Sequence, residues 1–159
     1  MAGGVGIGFT GYGSMNSRHH IGPELQIGHR LGNYLREPVL LIKTAWGGKS
    51  LHKDFRPPSA GRETGEYYQK MLTEVREGLA NVATEFPALA GKELEIAGFI
   101  WFQGWNDMVA SHEYPHNGNK PGRFDDYSKV LGHFIRDVRK DFKAPKMPFV
   151  IGVMGVGGV

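Results

Sequence analysis

The chain has 159 residues, 40% hydrophobic and 22% charged, which excludes a disordered polymer and gives length for one domain with a real core. Its 24 glycines crowd the ends, six in residues 1–13 and four in 152–159, without the Gly-x-y period of collagen. Cysteine is absent, which excludes disulfides and a thiol nucleophile; the net charge of +3 comes from scattered residues (Arg18, Arg30, Arg36, Lys43, Arg76, Arg136), not the clustered basic face of a nucleic-acid binder.

Residues 1–22 carry few large apolar side chains and read as loop. Met1-Ala2-Gly3-Gly4-Val5 has no basic segment leading into an apolar one, so no signal peptide is expected there. Pro23 suits the first position of a helix, and Leu25, Gly28, Leu31 and Leu35 then share one helical face up to Glu37. Pro38 stops it. Val39–Ile42 is a continuous apolar run bounded by Pro38 and Gly47-Gly48, the pattern of a strand buried on both faces. Residues 52–65, with Pro57, Pro58, Gly61 and Gly65, read as loop.

From Glu66 to Phe86, Tyr68, Met71, Leu72, Val75, Leu79 and Val82 recur at helical spacing, and Pro87 ends the run. Leu94–Phe102 is the second predicted strand, and 110–123 is a loop with Pro115, Gly118, Pro121 and Gly122. Phe124–Phe142 is the third helix, with Tyr127, Leu131, Phe134, Ile135, Val138 and Phe142 as its buried stripe. Phe149–Val153 is the third strand. Strands alternating with long helices imply right-handed crossovers and a parallel sheet, an α/β fold. No apolar run is long enough to cross a membrane.

In such sheets ligands bind beyond the C-terminal ends of the strands. Trp46-Gly47-Gly48-Lys49-Ser50, Gln103-Gly104-Trp105-Asn106-Asp107 and Met154-Gly155-Val156-Gly157-Gly158 lie there, and the first two bring polar donors and small residues to the point where a strand stops. Other motifs match chemistry in letters only. Gly6-Ile7-Gly8-Phe9-Thr10-Gly11 has no preceding strand, as a dinucleotide site requires. Gly48-Lys49-Ser50 lacks the glycine five places upstream that a phosphate loop needs; Lys43 stands there. His112-Glu113-Tyr114-Pro115-His116 spells a zinc-protease motif, but Pro115 argues against the helix that would align both histidines. His19-His20 and His133 read as solvated or packed groups, and Ser14 as a loop serine, since Tyr12 and Asn16 stand where a nucleophile elbow needs glycine. Of the aspartates, Asp126 and Asp137 fall at helical spacing, whereas Asp107 follows directly on a strand end.

Ile21-Gly22-Pro23-Glu24-Leu25, Leu41-Ile42-Lys43-Thr44-Ala45-Trp46-Gly47-Gly48-Lys49-Ser50-Leu51 and Gly98-Phe99-Ile100-Trp101-Phe102-Gln103-Gly104-Trp105-Asn106-Asp107 together resemble the sialate O-acetylesterase, or carbohydrate esterase, branch of the SGNH hydrolases. The resemblance runs over most of the chain. It implies a three-layer α/β/α sandwich around a parallel sheet, flavodoxin-like in topology, spanning 1–159 as a single domain incomplete at both ends. It implies hydrolysis of O-acetyl esters on carbohydrate by a serine that attacks the carbonyl, a histidine that takes its proton and an aspartate that orients the histidine.

By the same resemblance the oxyanion donors are Gly48, with Gly47 as the alternative register, and Gln103. Asn106 is the second choice of side-chain donor, since Gly104-Trp105-Asn106-Asp107 also spells the Gly-x-Asn-Asp of the wider group. Glycine lets its N–H approach an oxyanion with no Cβ in the way, and an amide donates without titrating. Trp46, Lys49, Trp105 and Asp107 are the expected substrate contacts. No metal and no cofactor is implied, and the expected partner is O-acetylated carbohydrate, not nucleic acid or membrane. Relatives are often exported.

The nucleophile block, Gly-Gln-Ser-Asn or Gly-Asp-Ser, and the Asp-x-x-His block do not occur; Gly13-Ser14-Met15-Asn16 is a rough echo of the first. The expectation is therefore the central part of an esterase domain, carrying oxyanion segments without its triad and inactive by itself. The alternatives are a non-catalytic carbohydrate-binding protein on the same fold, with Trp46, Trp101 and Trp105 at strand ends, and a phosphate-binding protein using Gly47 to Ser50.

Overall fold

The computed structural model describes residues 22–117 and 121–153. The Gly6–Gly11 motif, Ser14, His19-His20 and the Met154–Gly158 strand-end segment lie outside the described residues. The chain divides into two compact units, Met1–Gly47 and Gly48–Val159.

In the first unit, helix α1 spans Pro23–Leu35, with proline at its start as expected. Arg36 closes it in the left-handed region (φ 56°), donating its N–H to Gly32 O at 3.0 Å. Gly28 leaves room for Leu41, whose Cδ1 lies 3.2 Å from where a Cβ would stand, and Lys43 reaches Glu24 at 2.7 Å. The returning segment therefore runs beside the helix. The expected first strand is corrected here: Val39–Ile42 joins no ladder among the described residues, and Leu40 and Leu41 stay 36% and 38% exposed. An apolar run becomes a strand only where a partner offers hydrogen bonds.

The second unit holds α2 (Glu66–Ala80), α3 (Val82–Glu85), β1 (Phe99–Trp101), α4 (Trp105–Val109), α5 (Asp125–Asp141) and β2 (Phe149–Ile151). Strands β1 and β2 pair in parallel, with Phe99 opposite Phe149, Ile100 opposite Val150 and Trp101 opposite Ile151. Three corrections follow. Both strands are shorter than expected, because pairing covers only these three positions. The long helix is interrupted at Asn81 (φ −91°, ψ 0°), a turn residue that separates α2 from α3. A helical turn, α4, follows β1 where the sequence suggested none.

Helix α5 matches its expected span within a residue at each end and buries Val130, Leu131, Phe134 and Val138. Fully buried Phe134 is the hub of the core, with ring centres 4.5 Å from Trp101, 5.6 Å from Tyr68, 5.8 Å from Phe99 and 6.2 Å from Phe149. Directly opposed Phe99 and Phe149 stack at 5.0 Å. Each such pair adds about 0.5–1.5 kcal/mol beyond area burial, so this cluster sets how β1 sits on α5.

The segment 50–65 has no long helix or strand but is densely bonded. The Asp54 carbonyl accepts the N–H groups of Tyr67 (2.9 Å) and Tyr68 (3.2 Å), capping α2 in place of a side chain. Gly65 is obligatory there, because a Cβ would collide with the Asp54 carbonyl. The Arg56 guanidinium donates to Gly61 O, His52 O and Ala60 O, and so holds the turn around itself. This packing fixes the path of the chain from Gly48 into α2.

Candidate active site

Beyond Trp101 the chain leaves β1 through Phe102, Gln103 and Gly104 and enters α4 at Trp105, so Asn106 and Asp107 sit on its first turn. Opposite them lies the turn from Gly48 to His52. Gly48 holds φ at +74°, a left-handed conformation that glycine adopts freely.

Side chains fasten almost every peptide group after it. The Lys49 carbonyl accepts Gln103 Nε2 and Asn106 Nδ2, both at 3.0 Å. The Ser50 N–H and hydroxyl donate to Asp54 Oδ2 at 2.8 and 3.1 Å. The Leu51 N–H donates to Asp107 Oδ2 at 2.8 Å, and the His52 N–H to Asp107 Oδ1 at 2.9 Å. Among the described residues, the Gly48 N–H has no acceptor.

Asp107 is 1% exposed. Besides the two amides it accepts Gln103 Nε2 at 2.6 Å and the Tyr114 hydroxyl at 3.1 Å, two donors on each oxygen. The expected substrate contact by Asp107 does not fit this geometry, because a carboxylate filled by four protein donors has none to spare for a ligand. Gln103 is similarly committed: its two N–H groups go to Lys49 and Asp107, and its Oε1 accepts the Tyr127 hydroxyl at 3.2 Å. Tyr127 also donates to Gln103 O at 3.0 Å and accepts Trp101 Nε1 at 3.1 Å. Asn106 spends one N–H on Lys49 and keeps the other.

Burial, and then the Asp107 carboxylate, push Tyr114 far above the usual phenol range. Burial also raises Tyr127, against the opposing hydrogen bond from Trp101. Both phenols are therefore neutral donors at physiological pH. The Lys49 ammonium lies 4.1 Å over the Tyr67 ring and 3.5 Å from Asp54; its hydrogen bond to Tyr67 leads the causes that raise its pKa. A phosphate at Lys49-Ser50 would meet the Asp54 carboxylate, which already holds the Ser50 hydroxyl.

Trp105 on α4 is 61% exposed. Trp46 and Gly47, which end the first unit, are half-exposed and exposed. His112 sits on a turn, 79% exposed, so it shares no helix face with His116.

The sequence reading missed Tyr114, Tyr127 and His52. His52 is 6% exposed, edge-on to the Tyr114 ring at 5.6 Å, with Nε2 at 2.6 Å from Glu113 and 2.9 Å from Arg62. A lone aromatic inside the polar 110–123 loop was the one available signal for Tyr114.

The molecule is thus an α/β protein whose polar site lies past the end of a parallel strand and, among the described residues, leaves the Gly48 N–H without an acceptor. A family model described as "Carbohydrate esterase, sialic acid-specific acetylesterase" matches residues 10–158, and the chain belongs to that family. No curated protein and no solved structure matches the chain.

Proposed function

We propose that the chain carries the oxyanion-binding side of a carbohydrate O-acetylesterase of SGNH type, within one three-layer α/β/α domain spanning 1–159. The observation that carries this is the fastening of the Lys49 carbonyl by Gln103 and Asn106, next to a Gly48 N–H that has no acceptor among the described residues. A preorganised N–H costs no reorganisation when charge develops on a carbonyl oxygen.

The reaction cleaves an acetyl ester into acetate and the free sugar hydroxyl. Attack on the carbonyl carbon turns its oxygen into an oxyanion, which accepts from the Gly48 N–H (or, in the other register, Gly47) and from a side-chain amide. Asn106 supplies that amide more readily than Gln103, because it has an uncommitted N–H while Gln103 must first release Lys49 or Asp107. Trp105 lies beside the sugar and Lys49 at the rim. The attacking serine and the Asp-x-x-His pair come from outside this set of residues.

The test is hydrolysis of p-nitrophenyl acetate and of an O-acetylated sugar by the 159-residue chain and by a form extended in frame at both ends. Turnover is expected from the extended form, falling about 10²–10³-fold in Asn106→Ala. Ser14-dependent turnover by the 159-residue chain would overturn the division of the triad. Sugar binding without turnover in either form, lost in Trp105→Ala, would establish the second reading, a non-catalytic carbohydrate binder, which the exposure of Trp105 favours.

A further inference from the structure

From Lys49 to His52 the peptide groups are held one after another: the Lys49 C=O by Gln103 and Asn106, the Ser50 N–H by Asp54, and the Leu51 and His52 N–H groups by Asp107. Immediately upstream, the Gly48 N–H has no acceptor among the described residues. Asp107 is the one side chain that grips two consecutive amides of this turn, and it does so from a helix rooted in the end of β1. Its other two donors, Gln103 Nε2 and the Tyr114 hydroxyl, fill its remaining capacity.

We infer that Asp107 is a positioning residue of the esterase reaction. It never meets substrate; it fixes where the Gly48 N–H points by clamping the Leu51-His52 amides against α4, with Tyr114 and Gln103 as the struts that hold the clamp. This rests on the reading of Gly48 as an oxyanion donor. A carboxylate suits the task because each oxygen accepts two donors, whereas an asparagine turns an N–H₂ toward groups that are themselves donors. The pairing spans more than fifty residues of sequence, so it also ties the glycine turn to the strand end across the site.

The first measurement is amide hydrogen exchange, residue by residue, on the 159-residue chain and its Asp107→Asn, Asp107→Ala and Tyr114→Phe variants. Exchange at Leu51 and His52 is expected to accelerate about tenfold or more in Asp107→Asn, with a smaller effect in Tyr114→Phe, while Phe134 and Val138 keep their protection. Unchanged exchange at Leu51 and His52, or an equal loss at every site, would overturn the inference, the latter by reducing Asp107 to a general stabiliser. Should Asp107→Ala fail to fold, Asp107→Asn and Tyr114→Phe decide.

The second measurement is kinetic, in the form of the protein that turns over p-nitrophenyl acetate. Asp107→Asn is expected to lower kcat about tenfold to hundredfold with KM nearly unchanged, and Ser59→Ala to change neither. A rise in KM at constant kcat would mean a substrate contact and refute the positioning role. Absence of turnover in the unmutated protein would count against the esterase reading alone, and the exchange data would still decide what Asp107 does.

Discussion

At Gly48 any side chain meets a torsional cost, not a steric one. Its φ is +74°, yet among the described residues no atom beyond its chain neighbours lies within 4 Å of where a Cβ would stand. Gly48→Ala is therefore expected to lose about 1–2 kcal/mol of stability in urea unfolding while keeping the native circular dichroism spectrum. Tyr68 belongs to the same scale. Its hydroxyl donates to Asp141 Oδ2 at 2.6 Å from a buried ring. Tyr68→Phe keeps the ring packing and is expected to cost about 1.5–3 kcal/mol by the same measurement, the worth of a hydrogen bond to a carboxylate.

Among the elements, α5 and β1 depend on one another through Phe134. Truncating a fully buried ring that touches four aromatic neighbours leaves a cavity that the rigid strands cannot collapse. Phe134→Ala is expected to destabilise the protein by about 3–5 kcal/mol, read from the denaturation midpoint. The helix spans were legible in the sequence because the apolar repeat of α2 and α5 is a local property, and the first turn of α1 because proline marks it. The strand spans were not, since Val39–Ile42 is as apolar as Phe149–Ile151 and only pairing separates them. The α2–α3 break was equally hidden, because Val82 continues the apolar repeat across it and is itself buried.

Over the whole molecule the pH response is set by buried phenols on the alkaline side. Burial leads the causes that raise Tyr68, Tyr114 and Tyr127 above the ordinary value of 10.0. Above pH 10 the unfolded chain releases these protons while the folded chain keeps them, so the native state binds more protons there and stability falls as pH rises. Full stability is expected below pH 10, with a steep loss above it in urea titrations, partly relieved in Tyr68→Phe. On the acid side, burial is the largest single influence on Glu24 and raises its pKa, but the Lys43 hydrogen bond and charge, together with backbone hydrogen bonds at Glu24 and Gly22, outweigh it and leave it lowered. That pair contributes above pH 4.5 and is lost as pH falls through the depressed value. Being partly exposed, it is worth about 0.2–1 kcal/mol and weakens in salt.

The amino-acid order by itself determined the α/β class, the helical faces and the two Gly-containing segments that flank the site, because periodicity and turn residues act over a few positions. It also carried the family, through the residues at those segments. What it left open was how each polar group would be spent. By sequence Gln103 stands ahead of Asn106 as the side-chain donor, because it follows the apolar strand directly. In the fold one has both N–H groups occupied and the other keeps one. Asp107 looked like a group facing substrate, and the fold turns it inward onto amides more than fifty residues away. Hydrogen bonds saturate, and the partners that saturate these groups are brought together only when β1 and the Gly48 turn pack in the same unit.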